Sequence, residues 1–384
     1  MANTEQKFKK DGAFLAQSKR VVVKLGSSLL IDSSNRSLNI EWLESFASEL
    51  AALKRAGQEI LLVSSGAIAL GRVYLGLNEN QRLLEEHQAA AAAGQILLAH
   101  AYQELMEKHD CKVAQVLLTP DDTENRQRYL NARNTIQTLL NLGVLPVINE
   151  NDTVATEEIR YGDNDRLAAR VAQMVSADCL VLLSDVAGMF NGDPNENNQL
   201  ELISQVTEIT PELESLAGST KTAYGSGGMA TKLSAARICM SAGCATVIAS
   251  GKTNHPLTQI ISGVPCTWFL PSSSPLAARK QWIAGSLKPC GKLIIDDGAK
   301  EALANGNSLL PVGVKEIFGE FQCGDPVVLL SIDGRDIGRG LVSFSSEDAM
   351  RIIGRRSEEI EMIIGYESGI EMIHRDNLVI NDIN

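Results

Sequence analysis

The sequence predicts an α/β fold, a three-layer αβα sandwich with a mainly parallel sheet, followed by a small β-rich C-terminal domain. Short apolar runs rich in Val, Ile and Leu alternate with longer helical patterns through the first two thirds of the chain. Runs that are apolar throughout are typical of strands buried on both faces. After about residue 270 the pattern changes to short strand-like runs broken by Gly and Asp, which indicates the second domain.

The elements of the first domain follow in order along the chain. Apolar runs predict strands at 21–25, 59–63, 113–118, 144–148, 179–183 and 244–249. Helical patterns between them predict helices near 40–56, 83–109, 127–142, 163–176 and 229–242. The longest of these is rich in Ala and Leu, which favour helices strongly. Because such a sheet binds its ligand at the carboxyl ends of its strands, the residues after each strand are candidates for the site.

We divide the chain into four segments. Residues 1–17 are polar and predict a flexible N-terminal tail, and residues 18–270 hold the α/β domain. Residues 271–287 begin with PSSSPLAARK, which is typical of a linker. Residues 288–384 contain the strand-like runs KLIID, PVVLL and GRGLV of the β-rich domain.

The composition argues against several classes of protein. The chain of 384 residues has 35 Lys and Arg against 47 Asp and Glu, a formal net charge of −12. Binding to nucleic acids and anionic membranes depends chiefly on clustered Lys and Arg. No window reaches the roughly 18 apolar residues that cross a bilayer, and no signal-peptide core is present near the start. The seven cysteines include no CxxC pair, which argues against a zinc site or a disulfide framework. We therefore expect a cytoplasmic protein.

Two loops place a lysine where it could meet an anion. VVVKLGSS, at 21–28, ends the first strand with Lys24 and turns at Gly26, which lets backbone N–H groups approach an anion. GSGGMATK, at 225–232, opens a helix with Lys232 in its first turn, and helix N-termini attract anions. The alternatives are structural: a lysine that reaches solvent in the first loop and a flexible connection in the second.

Polar side chains follow two further strands. SSG, at 64–66, would lie at the same sheet edge as Lys24, although small residues also suit a tight turn. The segment 147–172 ends a strand in a dense polar run and then opens a helix. Seven polar side chains stand at the strand end and the helix start: Asn149, Glu150, Asn151, Asp152, Asp163, Asn164 and Asp165. Helix capping would explain one of them but not all seven, so this segment favours a functional site.

These motifs carry a resemblance to a known family. In this order, VVVKLGSS, VSSGAIALG, PVINENDTVA, YGDNDRLAA, LLSDVAGMFNGDP and GSGGMATK resemble the amino-acid kinase family. The C-terminal segment from GKLIIDDGAKEALANGNSLLPVGVKEI through GRGLVSFSSEDAMRIIG resembles a PUA domain. This tandem is similar to the family members that phosphorylate glutamate.

The resemblance implies a reaction, cofactors and partners. The reaction would be ATP-dependent phosphorylation of the γ-carboxylate of L-glutamate to γ-glutamyl phosphate, the first step of proline biosynthesis. The resemblance also implies Mg²⁺, feedback inhibition by proline and a homo-oligomer, either a dimer or a tetramer. The labile product would be handed over to glutamyl-phosphate reductase.

The resemblance also assigns residues to ligands. Glutamate would be held by Ser65, Asp152 and Asn164. ATP would be bound by Lys24, Ser184, Asp185, Ser226, Gly227, Gly228, Met229, Ala230, Thr231 and Lys232. Ser184 and Ser226 stand where family members often have Thr, but each keeps the hydroxyl. No direct metal ligand is assigned.

The chemistry of this reaction predicts three catalytic residues. A carboxylate with a pKa of about 4.3 is ionised at pH 7, so the acceptor needs no general base. Phosphoryl transfer then depends on positioning and on neutralising the phosphoryl oxygens. We hypothesise that Lys24 and Lys232 supply positive charge from opposite sides, that Asp165 orients both ammonium groups, and that Mg²⁺ bridges the phosphates.

Two alternatives stay open from the sequence. Another member of the family would use aspartate or uridylate as the acceptor. An RNA-binding regulator with a vestigial kinase domain is the second alternative, since PUA domains often bind RNA. Residues 288–384 carry 10 Lys and Arg against 17 Asp and Glu, a net charge of −7, which argues against RNA binding.

Overall fold

The computed structural model describes residues 12–32, 37–77, 83–154, 164–192, 200–218, 228–285, 288–365 and 369–381. The chain divides into two compact units, Met1–Pro275 and Leu276–Asn384. Among the helices in the described ranges, none is both long enough and apolar enough to cross a bilayer.

The first unit is built on an eight-stranded sheet with the order β3-β4-β2-β1-β5-β7-β8-β6. The strands are β1 (Arg20–Leu25), β2 (Glu59–Val63), β3 (Val113–Leu118), β4 (Leu145–Glu150), β5 (Cys179–Ser184), β6 (Gln205–Val206), β7 (Ala245–Ser250) and β8 (Thr267–Phe269). Neighbouring strands are parallel except β7 and β8, which are antiparallel. The predicted mainly parallel α/β fold is therefore confirmed.

Helices cover both faces of this sheet. After a short helical segment at 12–17, the helices of the first unit are α1 (Ser27–Leu30), α2 (Ile40–Arg55), α3 (Ala67–Tyr74), α4 (Leu84–Glu107), α5 (Pro120–Glu124), α6 (Arg126–Asn141), α7 (Asn164–Met174), α8 (Pro211–Gly218), α9 (Met229–Ser241) and α10 (Pro256–Ser262). The long helices lie where the sequence pattern predicts them. Short elements such as α3 and α10 have too few turns for a periodic pattern to stand out.

Strand alternation divides the core into two layers, because successive side chains point to opposite faces. In β1, Val21, Val23 and Leu25 face the layer that contains α2 and α4. Val22 faces the other layer, which contains α7 and α9. Lys24 is two residues beyond Val22 and shares its face. The strand therefore delivers a lysine to the α7/α9 layer at its carboxyl end.

The structure places a helix in two of the predicted segments, and the boundary between the two units lies within the predicted linker at 271–287. Residues 12–17 of the predicted tail form a helix in which Leu15 is completely buried. These six residues are not a flexible tail, because the buried side chain of Leu15 anchors their short helix in the core. Residues 1–11 of the predicted tail lie outside the described residues. The predicted linker at 271–287 contains the helix α11 (Pro275–Gly285). Pro275 stands at its first position, where the missing N–H is not needed, so this proline starts a helix.

The second unit is β-rich, as predicted, with its own sheet and its own core. Its five strands have the order β10-β9-β11-β12-β13. They are β9 (Gly291–Ile295), β10 (Val314–Gly319), β11 (Pro326–Ser331), β12 (Asp336–Leu341) and β13 (Leu378–Ile380). The helices α12 (Asp297–Ala304), α13 (Ser346–Ile352) and α14 (Ile360–Ile364) accompany them. Leu293, Val327, Leu329 and Phe344 lie in a core cluster that contains only residues of this unit.

Candidate active site

Lys24, Asp165 and Lys232 meet in one buried cluster, the Lys–Asp–Lys triad. The Lys24 Nζ lies 2.6 Å from Asp165 Oδ1, and the Lys232 Nζ lies 3.1 Å from Asp165 Oδ2. The Asp165 side chain has no exposed surface, and the lysine side chains are 7% and 8% exposed. One carboxylate thus holds two ammonium groups that the chain supplies from β1 and α9.

Local sequence patterns explain why the three residues point to the same place. Lys24 continues the face of β1 that packs against α7 and α9. Asp165 is the second residue of α7 and begins a buried stripe that continues through Ala168 and Ala172. Lys232 begins the corresponding stripe of α9. The small alanine side chains let both helices approach the sheet closely.

The triad carries a net positive charge in a buried position. Burial by itself would raise the pKa of Asp165, but the charges of Lys24 and Lys232 outweigh this effect and hold its pKa below the usual range. Asp165 is therefore ionised at neutral pH, and one negative charge faces two positive ones. A buried excess charge is costly unless a partner offsets it. An anionic ligand would provide that partner.

The start of α9 adds polar groups beside the triad. Gly228 is the N-cap residue of this helix, and the Thr231 Oγ1 lies 2.7 Å from its carbonyl oxygen. The same hydroxyl lies 3.2 Å from Asp165 Oδ2. Met229 is half-buried and Ala230 is exposed. The amino end of the helix is thus anchored to Asp165, with its dipole directed at the triad.

The other predicted ATP-binding residues lie at β5 or outside the described residues. Ser184 ends β5, and its Oγ donates to Asp185 Oδ1 at 3.0 Å. Because β5 pairs directly with β1, both residues are one strand away from Lys24. Asp185 is exposed, so it is accessible to a ligand. Ser226 and Gly227 lie outside the described residues, and their contacts with ATP stay predictions.

Asn164, predicted to hold the substrate, also connects two strand ends. Its Nδ2 donates to the backbone carbonyl of Ser64, after β2, and to Asn149 Oδ1, in β4, at 2.7 Å. The Asn149 Oδ1 also accepts a hydrogen bond from the backbone N–H of Glu150 at 2.9 Å. The two donor hydrogens of the Asn164 amide are thus committed to the protein. Sequence reasoning did not foresee this structural role.

Ser65 and Asp152 lie in the turns that follow β2 and β4, and both are half-buried. These two strands are parallel neighbours, so their carboxyl ends share one edge of the sheet. The strand order β4-β2-β1-β5 therefore puts the predicted glutamate-binding turns on one side of Lys24. The predicted ATP-binding residues of β5 lie on its other side.

Sequence reasoning missed two polar residues in the long helix α4. Gln95 and Tyr102 are buried there, and their spacing places them on one face of the helix. The Gln95 Nε2 lies 3.4 Å from the carbonyl oxygen of Glu150, and the Tyr102 hydroxyl lies 2.8 Å from Ser64 Oγ. The available signal was a polar residue within an apolar helical stripe.

The residues that the structure describes do not provide a protein cage for a metal ion. Among the described residues, no group of three or more His, Cys, Asp or Glu side chains could hold one. Each carboxylate oxygen of Asp165 is already within ion-pair distance of a lysine. Mg²⁺ often binds proteins through one or two carboxylates together with substrate phosphates. The site fits an ion that enters with a nucleotide.

Comparison with known proteins identifies the family of this fold and site. The profile of the amino acid kinase family matches residues 19–250, and the PUA-domain profile matches residues 291–364. The chain belongs to the amino acid kinase family, so the resemblance inferred from its motifs is confirmed.

The chain is also similar to curated relatives over nearly its whole length. It is 58% identical over 365 residues to the glutamate 5-kinase of Paramagnetospirillum magneticum, covering 95% of this chain and 98% of that protein. It is 53% identical over 360 residues to the glutamate 5-kinase of Rhodospirillum rubrum, covering 94% of this chain and 96% of that protein. It is 50% identical over 365 residues to the glutamate 5-kinase of Agrobacterium fabrum, covering 95% of this chain and 94% of that protein.

Proposed function

We propose that this chain transfers the γ-phosphoryl group of ATP to the γ-carboxylate of L-glutamate, giving γ-glutamyl phosphate and ADP. The observation that carries the proposal is the Lys–Asp–Lys triad, which lies between the turns after β2 and β4 and the residues at the end of β5. The curated relatives, 50% to 58% identical to this chain, are glutamate 5-kinases. This reaction is the first step of proline biosynthesis.

The mechanism follows from the charges of the triad. A γ-carboxylate oxygen of glutamate forms a bond to the γ-phosphorus while the bond from that phosphorus to the ADP oxygen breaks. No proton needs to be removed, because the acceptor is already ionised. Lys24 and Lys232 neutralise charge on the phosphoryl group as it moves, and Asp165 keeps both ammonium groups in place. One such preorganised contact contributes on the order of 3 kcal/mol to lowering the barrier.

The two substrates occupy different parts of the sheet edge. Glutamate is held by Ser65, Asp152 and Asn164, with the Asp152 carboxylate paired with the α-ammonium group. ATP is bound by a second set of residues: Lys24, Ser184, Asp185 and the segment from Ser226 to Lys232. The hydrogen bonds from Asn164 to Ser64 and Asn149 fix the ends of β2 and β4 on the acceptor side. Because they use both donor hydrogens of its amide, Asn164 meets glutamate through its side-chain oxygen.

The proposal extends to the metal, the regulation and the partners. Mg²⁺ would be held chiefly by the ATP phosphates, since the described residues offer no cluster of ligands for it, and it would supply further positive charge there. Proline acts as a feedback inhibitor, and the chain forms a dimer or tetramer in the cytoplasm. The product is an acyl phosphate, which water hydrolyses readily, so direct handover to glutamyl-phosphate reductase would protect it.

A coupled ADP-release assay tests the proposed acceptor. Glutamate, aspartate, N-acetylglutamate and UMP are compared at equal concentrations with ATP and Mg²⁺, and a reaction without acceptor corrects for ATP hydrolysis. We expect glutamate to be preferred by a wide margin. Preference for aspartate or UMP would make the chain a kinase with another acceptor. Turnover with none of them, together with an RNA gel shift at physiological salt, would favour the RNA-binding alternative.

A further inference from the structure

Tyr102 makes a buried contact with the residue that ends β2. Its side chain is 3% exposed, Ser64 is fully buried, and the two hydroxyl oxygens are 2.8 Å apart. Strand alternation explains the contact, because Ser64 continues the face of Ile60 and Leu62, which pack in the layer of α2 and α4. The Tyr102 hydroxyl therefore contacts Ser64 at the end of β2, directly before the turn that contains Ser65.

The polar groups of Ser64 are engaged by three different elements. Its backbone N–H donates to the carbonyl oxygen of Ile148 in β4 at 2.9 Å. Its own carbonyl oxygen accepts from Asn164 in α7, and its side chain meets Tyr102 in α4. A residue held from three directions has little freedom to shift, so Ser64 is a rigid point beside Ser65.

Hydrogen-bond contacts connect Tyr102 with the turn at Ser65 through Ser64. Burial raises the pKa of Tyr102 above its usual range, so the phenol keeps its proton. The Ser64 Oγ lies 3.4 Å from the carbonyl oxygen of Ser65, to which it can donate. The Tyr102 hydroxyl and the Ser64 Oγ are within hydrogen-bond distance, and either of them can be the donor. These contacts connect α4 with the backbone of the turn.

Helix α4 is itself fixed against this turn. A Cβ atom on Gly94 would lie 1.7 Å from the carbonyl oxygen of Ala67, so α4 and the first turn of α3 touch through their backbones. Gly66, between Ser65 and that helix, has a φ of 90°, which favours glycine. The turn is therefore held at both ends, by Tyr102 before it and by the contact of Gly94 after it.

We infer that Tyr102 is a positioning residue for the acceptor substrate, which acts through Ser64 to place the Ser65 backbone and hydroxyl against glutamate. The inference rests on the proposed function, because Ser65 is assigned to glutamate there. The residues assigned to ATP lie on β5 and α9, on the other side of β1. Loss of the Tyr102 hydroxyl therefore weakens the use of glutamate and leaves the binding of ATP unchanged.

A double-mutant cycle tests the inference in the full chain. The variants are Tyr102→Phe, Ser64→Ala and the double variant, each assayed with glutamate varied at saturating ATP and with ATP varied at saturating glutamate. Each single variant should lower kcat/KM for glutamate about three- to tenfold, the range expected for one buried hydrogen bond. The double variant should be no worse than the single ones, and the KM for ATP should stay within about twofold of wild type.

Ser18→Ala is the matched control. It removes another buried serine hydroxyl, whose Oγ donates to the carbonyl oxygen of Phe14 at 2.7 Å, just before β1 and away from the carboxyl ends of the strands. We expect it to lower the melting temperature by about as much as Ser64→Ala and to leave kcat/KM for glutamate unchanged.

The possible outcomes separate this inference from the proposed function. Three results would overturn the positioning role of Tyr102. The first is additive losses of kcat/KM for glutamate in the double variant, the second is an equal loss of kcat/KM for glutamate and for ATP, and the third is an unchanged kcat/KM for glutamate in Tyr102→Phe. If Tyr102→Phe does not fold, the same glutamate-to-ATP comparison in Ser64→Ala decides the question. A wild-type chain that does not phosphorylate glutamate at all would contradict the proposed function instead, and the cycle would then be measured with the acceptor that is used.

Discussion

At the residue scale, the site depends on one carboxylate that keeps two lysines together. Without Asp165, the ammonium groups of Lys24 and Lys232 would repel each other at close range in a poorly solvated place. With it, both ammonium groups are held together, where in the proposed reaction they would offset the negative charge of the phosphoryl group. The lysines are therefore expected to act in the transition state as well as in ATP binding.

Replacing Lys232 by methionine tests that expectation. Methionine keeps most of the length of the side chain and removes the charge, so kcat should fall about a hundredfold, which corresponds to a loss of about 3 kcal/mol. Steady-state ADP release measures kcat and the KM for ATP together. Lys19→Met is the control, because Lys19 is exposed and precedes β1. A nearly normal kcat with only a raised KM for ATP would contradict the transition-state role.

Asp165→Asn should destabilise the fold in a pH-dependent way. The substitution leaves two buried ammonium groups without their counter-charge, and breaking a buried pair in this way costs about 3–5 kcal/mol. Because the folded-state pKa of Asp165 lies below its unfolded value, the charge stabilises the protein above pH ~4. That contribution is lost as the pH falls through the lowered folded-state pKa.

Urea unfolding from pH 8 down to pH 3 measures the effect. The difference in unfolding free energy between wild type and Asp165→Asn should be constant between about pH 5 and pH 8 and should narrow below about pH 4. Asp121→Asn, which removes an exposed carboxylate, should show no comparable difference. If the difference in unfolding free energy between wild type and Asp165→Asn stays the same at pH 3, the charge of Asp165 is not the cause of the lower stability.

Asp152→Ala should change the KM for glutamate much more than the KM for ATP. If the Asp152 carboxylate pairs with the α-ammonium group of glutamate, its loss raises the KM for glutamate at least tenfold, about 1.4 kcal/mol, and changes the KM for ATP little. Initial rates with each substrate varied in turn measure both values. Equal increases for both substrates would indicate a general folding defect.

At the element scale, the contact between α3 and α4 sets the position of the turn after β2. A Cβ atom on Gly94 would lie 1.7 Å from the carbonyl oxygen of Ala67 and 2.8 Å from the backbone nitrogen of Gly71. Neither atom belongs to a flexible side chain, so the two helices would have to separate. Such overpacking typically costs 1–3 kcal/mol, or more where backbone must shift.

Gly94→Ala is therefore expected to lower the free energy of unfolding by about 1–3 kcal/mol, measured by urea denaturation. Gly218→Ala provides the control, since a Cβ there meets no atom of the described residues within 4 Å and its φ is not positive. Alanine favours helices over glycine, so the control should be neutral or slightly stabilising. Equal stability of the two variants would mean that α3 and α4 can separate at no cost.

A comparison of predicted and observed element bounds shows which elements a local sequence pattern can predict. The strand 59–63 was predicted with the bounds that the structure has, because its apolar run is bounded by polar residues at both ends. The helix at 83–109 was predicted within two residues of α4 at each end, because its composition strongly favours a helix. Helix α11 was predicted as a linker, because Ser and Pro at its start are typical of loops and helix starts alike.

At the scale of the whole molecule, the chain consists of two units with separate cores. The core clusters of the first unit and of the second unit share no residue. The proposed catalytic and substrate-binding residues all belong to the first unit, Met1–Pro275. We therefore expect the first unit to build the proposed site by itself.

A chain ended after Pro275 should consequently fold and phosphorylate glutamate with a kcat within about tenfold of the full chain, a change of no more than about 1.4 kcal/mol in the barrier. Circular dichroism would report whether it melts cooperatively, and ADP release would report its activity. The full chain carrying Lys232→Met serves as the inactive reference. A truncated chain that is folded but as inactive as this reference would show that the second unit contributes to catalysis.

The sequence by itself determined the local parts of this protein: the apolar strands, the long helices, and the lysines and carboxylates at their ends. These follow from periodicity, propensity and turn chemistry, which act over a few residues. That Asp165 orients both lysines was a hypothesis from the family resemblance and the chemistry of the reaction. Only the tertiary structure decided that its carboxylate is buried within ion-pair distance of Lys24 and Lys232, and that Tyr102 reaches Ser64. Those contacts depend on strand order and on which face each helix covers, and a local pattern carries no information about either.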